Sequence, residues 1–372
     1  MKRRQVLVCF LSVLVIFAVT GCCPSPAPNF SYFAYVANMD SDSISAYAID
    51  TATGALAEID GSPFAETTGS NPRSVAVDPA GKFLYVANYW NDIFAYTIDA
   101  ATGALTEIDG SPFATGSGTF SVTVDPTGKF LYATNYGANT ISAYTIDAAT
   151  GALAEIDGSP FAAGTNPWGV AVDPTGKYLY VANYNDHNVS AYTIDTATGA
   201  LASISGSPFA AFPSGNLASV TIDPAGKYLY VSDNAMEWND FSAYAIDAST
   251  GALSEISGSP YRGWCSFAAA VDPAGKFVYN ACNNATLYGY TIDAATGVLT
   301  SMNGLNPIIS NASQFTAIAV DPTGKFAYAT DSFVGVRAYA IDATTGMLTS
   351  ISGSPFAAGT YPASIVIAKV AQ

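Results

Sequence analysis

Histidine is almost missing from this sequence: His187 is the only one in 372 residues. That excludes a metal centre or an active site built on several imidazoles. Cations are scarce as well. Thirteen Lys and Arg stand against 29 Asp and Glu, for a formal net charge of −16. A phosphate-binding surface needs clustered Lys and Arg, so nucleic acid is not expected as a partner. Charged residues make up only 11% of the chain and hydrophobic ones half of it, which excludes a disordered chain. No helical hydrophobic period occurs beyond the N-terminal segment. There is no serine nucleophile elbow, no zinc-ligand spacing and no phosphate-cradling glycine loop. Nothing in the sequence points to a metal or a cofactor.

What is abundant is repetition. Thr-Gly-x-Leu occurs seven times, with its glycine at 54, 103, 151, 199, 251, 297 and 346. Asp-Pro-x-Gly-Lys begins at Asp78, Asp125, Asp173, Asp223, Asp272 and Asp321. Gly-Ser-Pro-Phe or Gly-Ser-Pro-Tyr closes six of the seven units, and the sixth unit has Gly304-Leu305-Asn306-Pro307 instead. Each unit reads as four short strands. In the unit that begins near Arg73, strand A is Ser74 to Val77 and Asp78-Pro79-Ala80-Gly81 is a turn. Strand B is Lys82 to Asn88, strand C is Ile93 to Asp99, and strand D is Ala104 to Ile108, ended by Gly110-Ser111-Pro112. Strand B is apolar on both faces, so it needs cover on both, as when sheets stack around an axis.

Four-stranded units at a period of about 40–50 residues predict an all-β fold, a β-propeller with seven four-stranded blades. The ends predict closure of the ring. The repeats start on a strand B at Tyr32 and finish on a strand A, Pro362 to Ile367. The C-terminal strand would complete the N-terminal blade and remove the open edges of a linear array.

Ahead of the repeats, Lys2-Arg3-Arg4 precedes an apolar run from Val6 to Val19, the pattern of a secretory signal. Val19-Thr20-Gly21-Cys22 resembles the bacterial lipoprotein processing box. That resemblance implies cleavage before Cys22, lipidation of its sulfur and an exported protein anchored in the cell envelope. No Asp follows Cys22, which by the same resemblance favours the outer membrane or cell surface. The expected organisation is a signal peptide over 1–21, a Pro-rich spacer over 22–31 and the propeller over 32–372. The only membrane contact expected is through the lipid, and the protein is expected to be a monomer.

The blade motifs carry a second resemblance. Lys82-Phe-Leu-Tyr-Val-Ala-Asn88, Ile141-Ser-Ala-Tyr-Thr-Ile-Asp147, Thr-Gly-Ala-Leu and Gly-Ser-Pro-Phe are similar to the seven-bladed lactonase family. That family includes propeller-type 6-phosphogluconolactonases and is similar to carboxymuconate cyclases. The Tyr-Val-Ala-Asn cores also resemble the Tyr-Val-Thr-Asn repeat propellers of secreted and surface proteins. The resemblance implies hydrolysis of a sugar lactone or related cyclic ester. Relatives often carry Pro-Arg-His before strand A, where this chain has Pro72-Arg73-Ser74 once.

In a propeller the A–B and C–D turns share one face and the B–C and D–A connections share the other. The first face is nearly invariant here, and its Asp residues read as turn chemistry. The second face varies and holds every Trp: Trp90 and Trp238 in B–C connections, Trp168 and Trp264 in D–A connections. It also holds His187, Arg73 and Arg262, and Arg337 starts a strand C at the same end. Aromatic planes beside Arg suit a small carbohydrate-type ligand or anion. The candidates for catalysis are Arg73 or Arg262 on an oxyanion, with His187, Asp233 or Asp331 as a base. The four Trp and Arg337 are candidates for ligand contact. The other reading is a non-enzymatic module that binds a surface glycan or protein through this face. Cys265 and Cys282 flank one A–B hairpin symmetrically, which in a bulge-free register puts them opposite each other as a disulfide pair.

Overall fold

The computed structural model describes residues 30–66, 70–211, 215–234, 240–262 and 267–371. These form short antiparallel strands only, grouped into seven sheets. Each sheet is one blade with strand order A-B-C-D. Blade 2 is typical: A is Pro72–Val77, B is Phe83–Asn88, C is Asp92–Ile98 and D is Leu105–Glu107. Blade 1 takes its strand A from the far end of the chain. Pro362–Ala371 pairs along the whole of Phe30–Asn38, from Phe30 with Ala371 to Asn38 with Pro362. The ring is therefore closed by the C-terminal strand, and the fold is a seven-bladed β-propeller.

Strand A of each blade packs against strand A of the next, all the way round, so the A strands line the central axis. Strand B lies behind them and is buried over its full length in most blades, as in Phe83–Asn88 and Tyr178–Asn183. This is the two-sided burial that its two apolar faces demand. Core clusters sit between neighbouring blades. One joins Tyr35 and Ala37 of blade 1 to Leu84, Val86 and Tyr96 of blade 2.

A tyrosine in strand B latches each blade to the next in six cases. The hydroxyl of Tyr35 donates to the carbonyl oxygen of Gly103 at 2.8 Å, and that of Tyr85 to Gly151 at 2.9 Å. Tyr132, Tyr180, Tyr279 and Tyr328 donate likewise to Gly199, Gly251, Gly346 and Gly54. The Thr-Gly-x-Leu glycine thus does more than turn the chain. At Gly103, φ is +75°, and a Cβ there would sit 2.4 Å from the Phe33 ring of the preceding blade.

The Asp residues of the invariant face do turn work, as their spacing predicts. Asp78 Oδ1 accepts the amides of Lys82 and Phe83 at 2.6 and 2.7 Å. Asp99 Oδ1 accepts those of Ala101 and Thr102 at 3.1 and 2.8 Å. The Thr102 hydroxyl, which donates to the same oxygen at 2.8 Å, and then these two amides hold the Asp99 carboxyl below its ordinary pKa. Two details differ from the sequence reading. Strand D does not end at Gly-Ser-Pro. It resumes as a two-residue strand, Phe113–Ala114, on the same strand C. Ser111 bridges the gap, its Oγ accepting the amide of Ala95 at 3.1 Å.

The A–B register also differs. Asp78 folds the turn asymmetrically, so Val77 opposes Leu84, two residues off a symmetric hairpin; a bulge at the start of strand A takes one residue back, and Asn88 opposes Pro72 rather than Asn71. In blade 6, Ala268 pairs with Ala281. The disulfide expected between Cys265 and Cys282 involves a residue outside the described structure, Cys265; Cys282 is buried.

Candidate functional site

The strand A starts converge on the axis at the face of the B–C and D–A connections. There they enclose an open cavity of about 340 Å³. Its rim is the second residue of strand A in six blades, Arg73, Phe120, Trp168, Ala218, Thr316 and Ala363, and in blade 6 Phe267, just ahead of strand A at Ala268–Val271. One step deeper the residues are small: Ser74, Ser121, Gly169, Ser219, Ala268, Ala317 and Ser364. Small residues are needed here because seven backbones approach one axis. At Gly169 a Cβ would lie 2.8 Å from Ser219 Cα of the next blade.

Arg73 is the charged side chain among the cavity's lining residues. Its guanidinium lies 5.2 Å from the ring centroid of Tyr89 and 5.3 Å from that of Phe120. Its Nε donates to Asn71 Oδ1 at 2.8 Å, which fixes the plane of the fork. Among the described residues no carboxylate forms an ion pair with it. Burial pulls its pKa below the ordinary Arg value, while Tyr89, Tyr361 and Asp40 act the other way. The result is a half-buried cation, without a carboxylate partner, at the mouth of a cavity.

The adjoining wall is aromatic. Phe120 and Trp168 lie 3.8 Å apart between centroids, and Trp168 stacks on Tyr184 at 4.7 Å. Tyr136 meets Trp168 edge-on at 5.8 Å, and Phe267 meets it edge-on at 6.0 Å from two blades away.

The other sequence candidates fall elsewhere. Trp90 is on the B–C turn of blade 2, 62% exposed and edge-on to Tyr89. His187 is not a cavity residue. It occupies the left-handed position of a B–C turn, φ +55°, as Asn91 and Asn139 do in their blades. Asp233 is buried at the end of its strand B, where Oδ1 accepts the Asn216 amide at 2.6 Å. Asp331 is buried too, with Oδ2 2.8 Å from Arg337 Nε, so Arg337 holds a loop rather than facing the axis. The backbone of Arg262 pairs with Asp240 on an outer strand. Trp238, Trp264 and Cys22 lie outside the described residues. The structure thus brings together Arg73 and Trp168 and adds Tyr89, Phe120, Tyr136, Tyr184 and Phe267. A signal for some of these was present. The second residue of strand A varies from Arg to Phe to Trp to Ala ahead of a small Ser, Gly or Ala, which marks a column that faces the channel.

The sequence model of the family described as "Lactonase, 7-bladed beta-propeller" matches residues 29–120, 111–214 and 207–305. The chain belongs to this lactonase propeller family. Among solved structures it resembles a candidate 6-phosphogluconolactonase from Bacteroides uniformis, at 17% identity and a TM-score of 0.75 over 91% of this chain and 99% of that one. It resembles the periplasmic gluconolactonase of Pseudomonas aeruginosa at 17% identity and a TM-score of 0.71, over 91% and 99% of the two chains. A Lactobacillus plantarum protein matches at 21% identity and a TM-score of 0.74, over 91% and 99%. At these identities the likeness is one of fold. No curated protein matches the sequence.

Proposed function

We propose that the protein is an exported lactone hydrolase whose site is the aromatic-walled mouth of the central channel. The observation that carries this reading is Arg73, a cation with no carboxylate partner among the described residues, set between two rings and open to the cavity. Attack of water on a lactone carbonyl builds negative charge on its oxygen, and ring opening leaves a carboxylate. A guanidinium fixed through Nε keeps its other N–H groups for both charges. In a site shielded by Phe120, Trp168 and Phe267 such donors are worth more than in water. Family membership supports the same reaction class.

Export and anchoring through Cys22 complete the proposal. Phe30 enters the propeller at the end of strand B that pairs with Ala371, on the face of the invariant turns. A tether joined there leaves the mouth on the far side, open to substrate. Mass analysis of the N-terminus tests the anchor: a diacylglyceryl adduct on Cys22 is expected, and an unmodified mature cysteine would refute it.

Hydrolysis of a lactone panel by the purified protein tests the activity. Turnover above the buffer rate is expected. Arg73→Ala should lower kcat/KM about 100-fold, the typical cost of one oxyanion donor. Arg262→Ala should leave it unchanged, because that backbone lies on an outer strand. A folded protein that turns over no lactone would refute the reading and leave glycan or protein binding at this face.

A further inference from the structure

The lining of the mouth also narrows the ligand. We infer that it takes an unphosphorylated ring with a flat apolar face that carries or develops a single negative charge, such as an aryl-fused lactone and its hydroxy-acid product. This rests on the mouth being the site proposed above, and it goes further by naming the chemical class.

Charge gives the first constraint. A phosphate monoester carries nearly two charges and is ordinarily held by several cations or a helix N-terminus. Among the described residues the mouth offers one guanidinium. Lys82, Lys129, Lys177, Lys227, Lys276 and Lys325 all follow A–B turns on the opposite face. Arg337 is held by Asp331. One fork matches one carboxylate or one oxyanion.

The hydroxyls of the channel give the second. A sugar lactone presents several hydroxyls, each needing a partner when it is desolvated. The described lining contains no carboxylate and no amide side chain. Several of its hydroxyls are already engaged between blades. Ser364 Oγ accepts the Val75 amide and Ser74 Oγ accepts the Val122 amide, each at 3.3 Å. Thr316 Oγ1 donates to the Pro362 carbonyl at 2.6 Å. These bonds stitch one strand A to the next, and among the described lining they leave Ser219 Oγ as a buried hydroxyl without a partner, fewer than a polyhydroxylated ring needs.

The wall gives the third. Phe120, Trp168 and Phe267 line one side of the cavity, with Tyr136 and Tyr184 packed behind Trp168. An apolar ring laid on this wall loses water on both sides without leaving polar groups unpaired.

The test compares initial rates on dihydrocoumarin, glucono-δ-lactone and 6-phosphoglucono-δ-lactone, with titration calorimetry of the three hydroxy-acid products. The expected result is kcat/KM at least about tenfold higher for dihydrocoumarin, the scale of 1.4 kcal/mol of extra apolar contact. Phe120→Leu should narrow that ratio by lowering kcat/KM for dihydrocoumarin more than for glucono-δ-lactone. Circular dichroism shows whether that variant is folded, and Trp168→Phe provides a second one. Equal or higher kcat/KM on either sugar lactone would overturn the inference and leave the hydrolase reading intact. No hydrolysis, but aryl hydroxy-acid binding that Arg73→Ala abolishes, would uphold the inference and refute the hydrolase reading. Absence of aryl hydroxy-acid binding would overturn the inference.

Discussion

The seven strand B tyrosines allow a controlled measurement inside one molecule. Tyr85 donates its hydroxyl to the Gly151 carbonyl oxygen at 2.9 Å, and both groups are buried between blades. Tyr230 occupies the same position in blade 5 and is equally buried, but its hydroxyl has no hydrogen-bond partner. Tyr→Phe removes one oxygen and little volume, so packing changes are small at both sites. At Tyr85 the substitution also strands a buried carbonyl, and its cost is about 1–3 kcal/mol. At Tyr230 it removes a buried hydroxyl that gains nothing, so stability should be unchanged or slightly higher. At about 2.1 cal/mol/K of unfolding entropy per residue, a ring of this size shifts its Tm by roughly 1.4 °C for each kcal/mol. Tyr85→Phe should therefore lower Tm by about 1.5–4 °C, and Tyr230→Phe should not lower it. Differential scanning calorimetry of both variants beside the parent is the assay. Equal losses would show that ring packing, not the latch, determines stability, and the reasoning from the hydroxyl partners would fail.

Three further outcomes follow from the same geometry. Burial, reinforced by Asp92 and Asp42, raises the Glu66 carboxyl to about 8 from an ordinary 4.5, although the Tyr96 hydroxyl bonds it at 3.4 Å. The folded state then holds the proton more tightly than the unfolded one, so this contribution is complete below the unfolded value and is lost as pH rises through the folded one. Glu66→Gln should flatten the fall in denaturant midpoint between about pH 5 and about pH 8, and an unchanged slope would refute the assignment. Arg337→Met leaves the Asp331 carboxylate buried without its cation and should cost about 3–5 kcal/mol in urea unfolding. Adding Asp331→Asn should recover most of that, whereas two additive losses would contradict the pairing. His187→Gly relieves a left-handed backbone position and should leave lactone turnover unchanged while holding or raising Tm. A collapse of turnover there would move the site to the rim.

Much of this protein is legible in its sequence because its repeats carry local chemistry. The Asp-Pro-x-Gly-Lys turn needs only the carboxylate and the amides a few residues on, so Asp78 can be read without the rest of the chain. The two apolar faces of Phe83–Asn88 already call for cover on both sides. A strand A at the end, with a lone strand B at the start, already implies a closed ring. Which loops share the variable face follows from strand order alone.

Tertiary structure decided what distance and direction decide. Arg73 and Arg337 look alike in the sequence, each at one end of a strand. Only packing shows that one meets Asp331 and the other two aromatic rings and an open cavity. Phe120 and Phe267 come from different blades, and their common wall exists only because seven first strands meet at one axis. His187 suggests chemistry by its type, yet its place is set by the backbone of a turn. The turn and pairing rules act over a few residues and can be read along the chain. A site at the centre of a ring collects one residue from each of several repeats about 48 positions apart, and closure of the ring determines which of them meet.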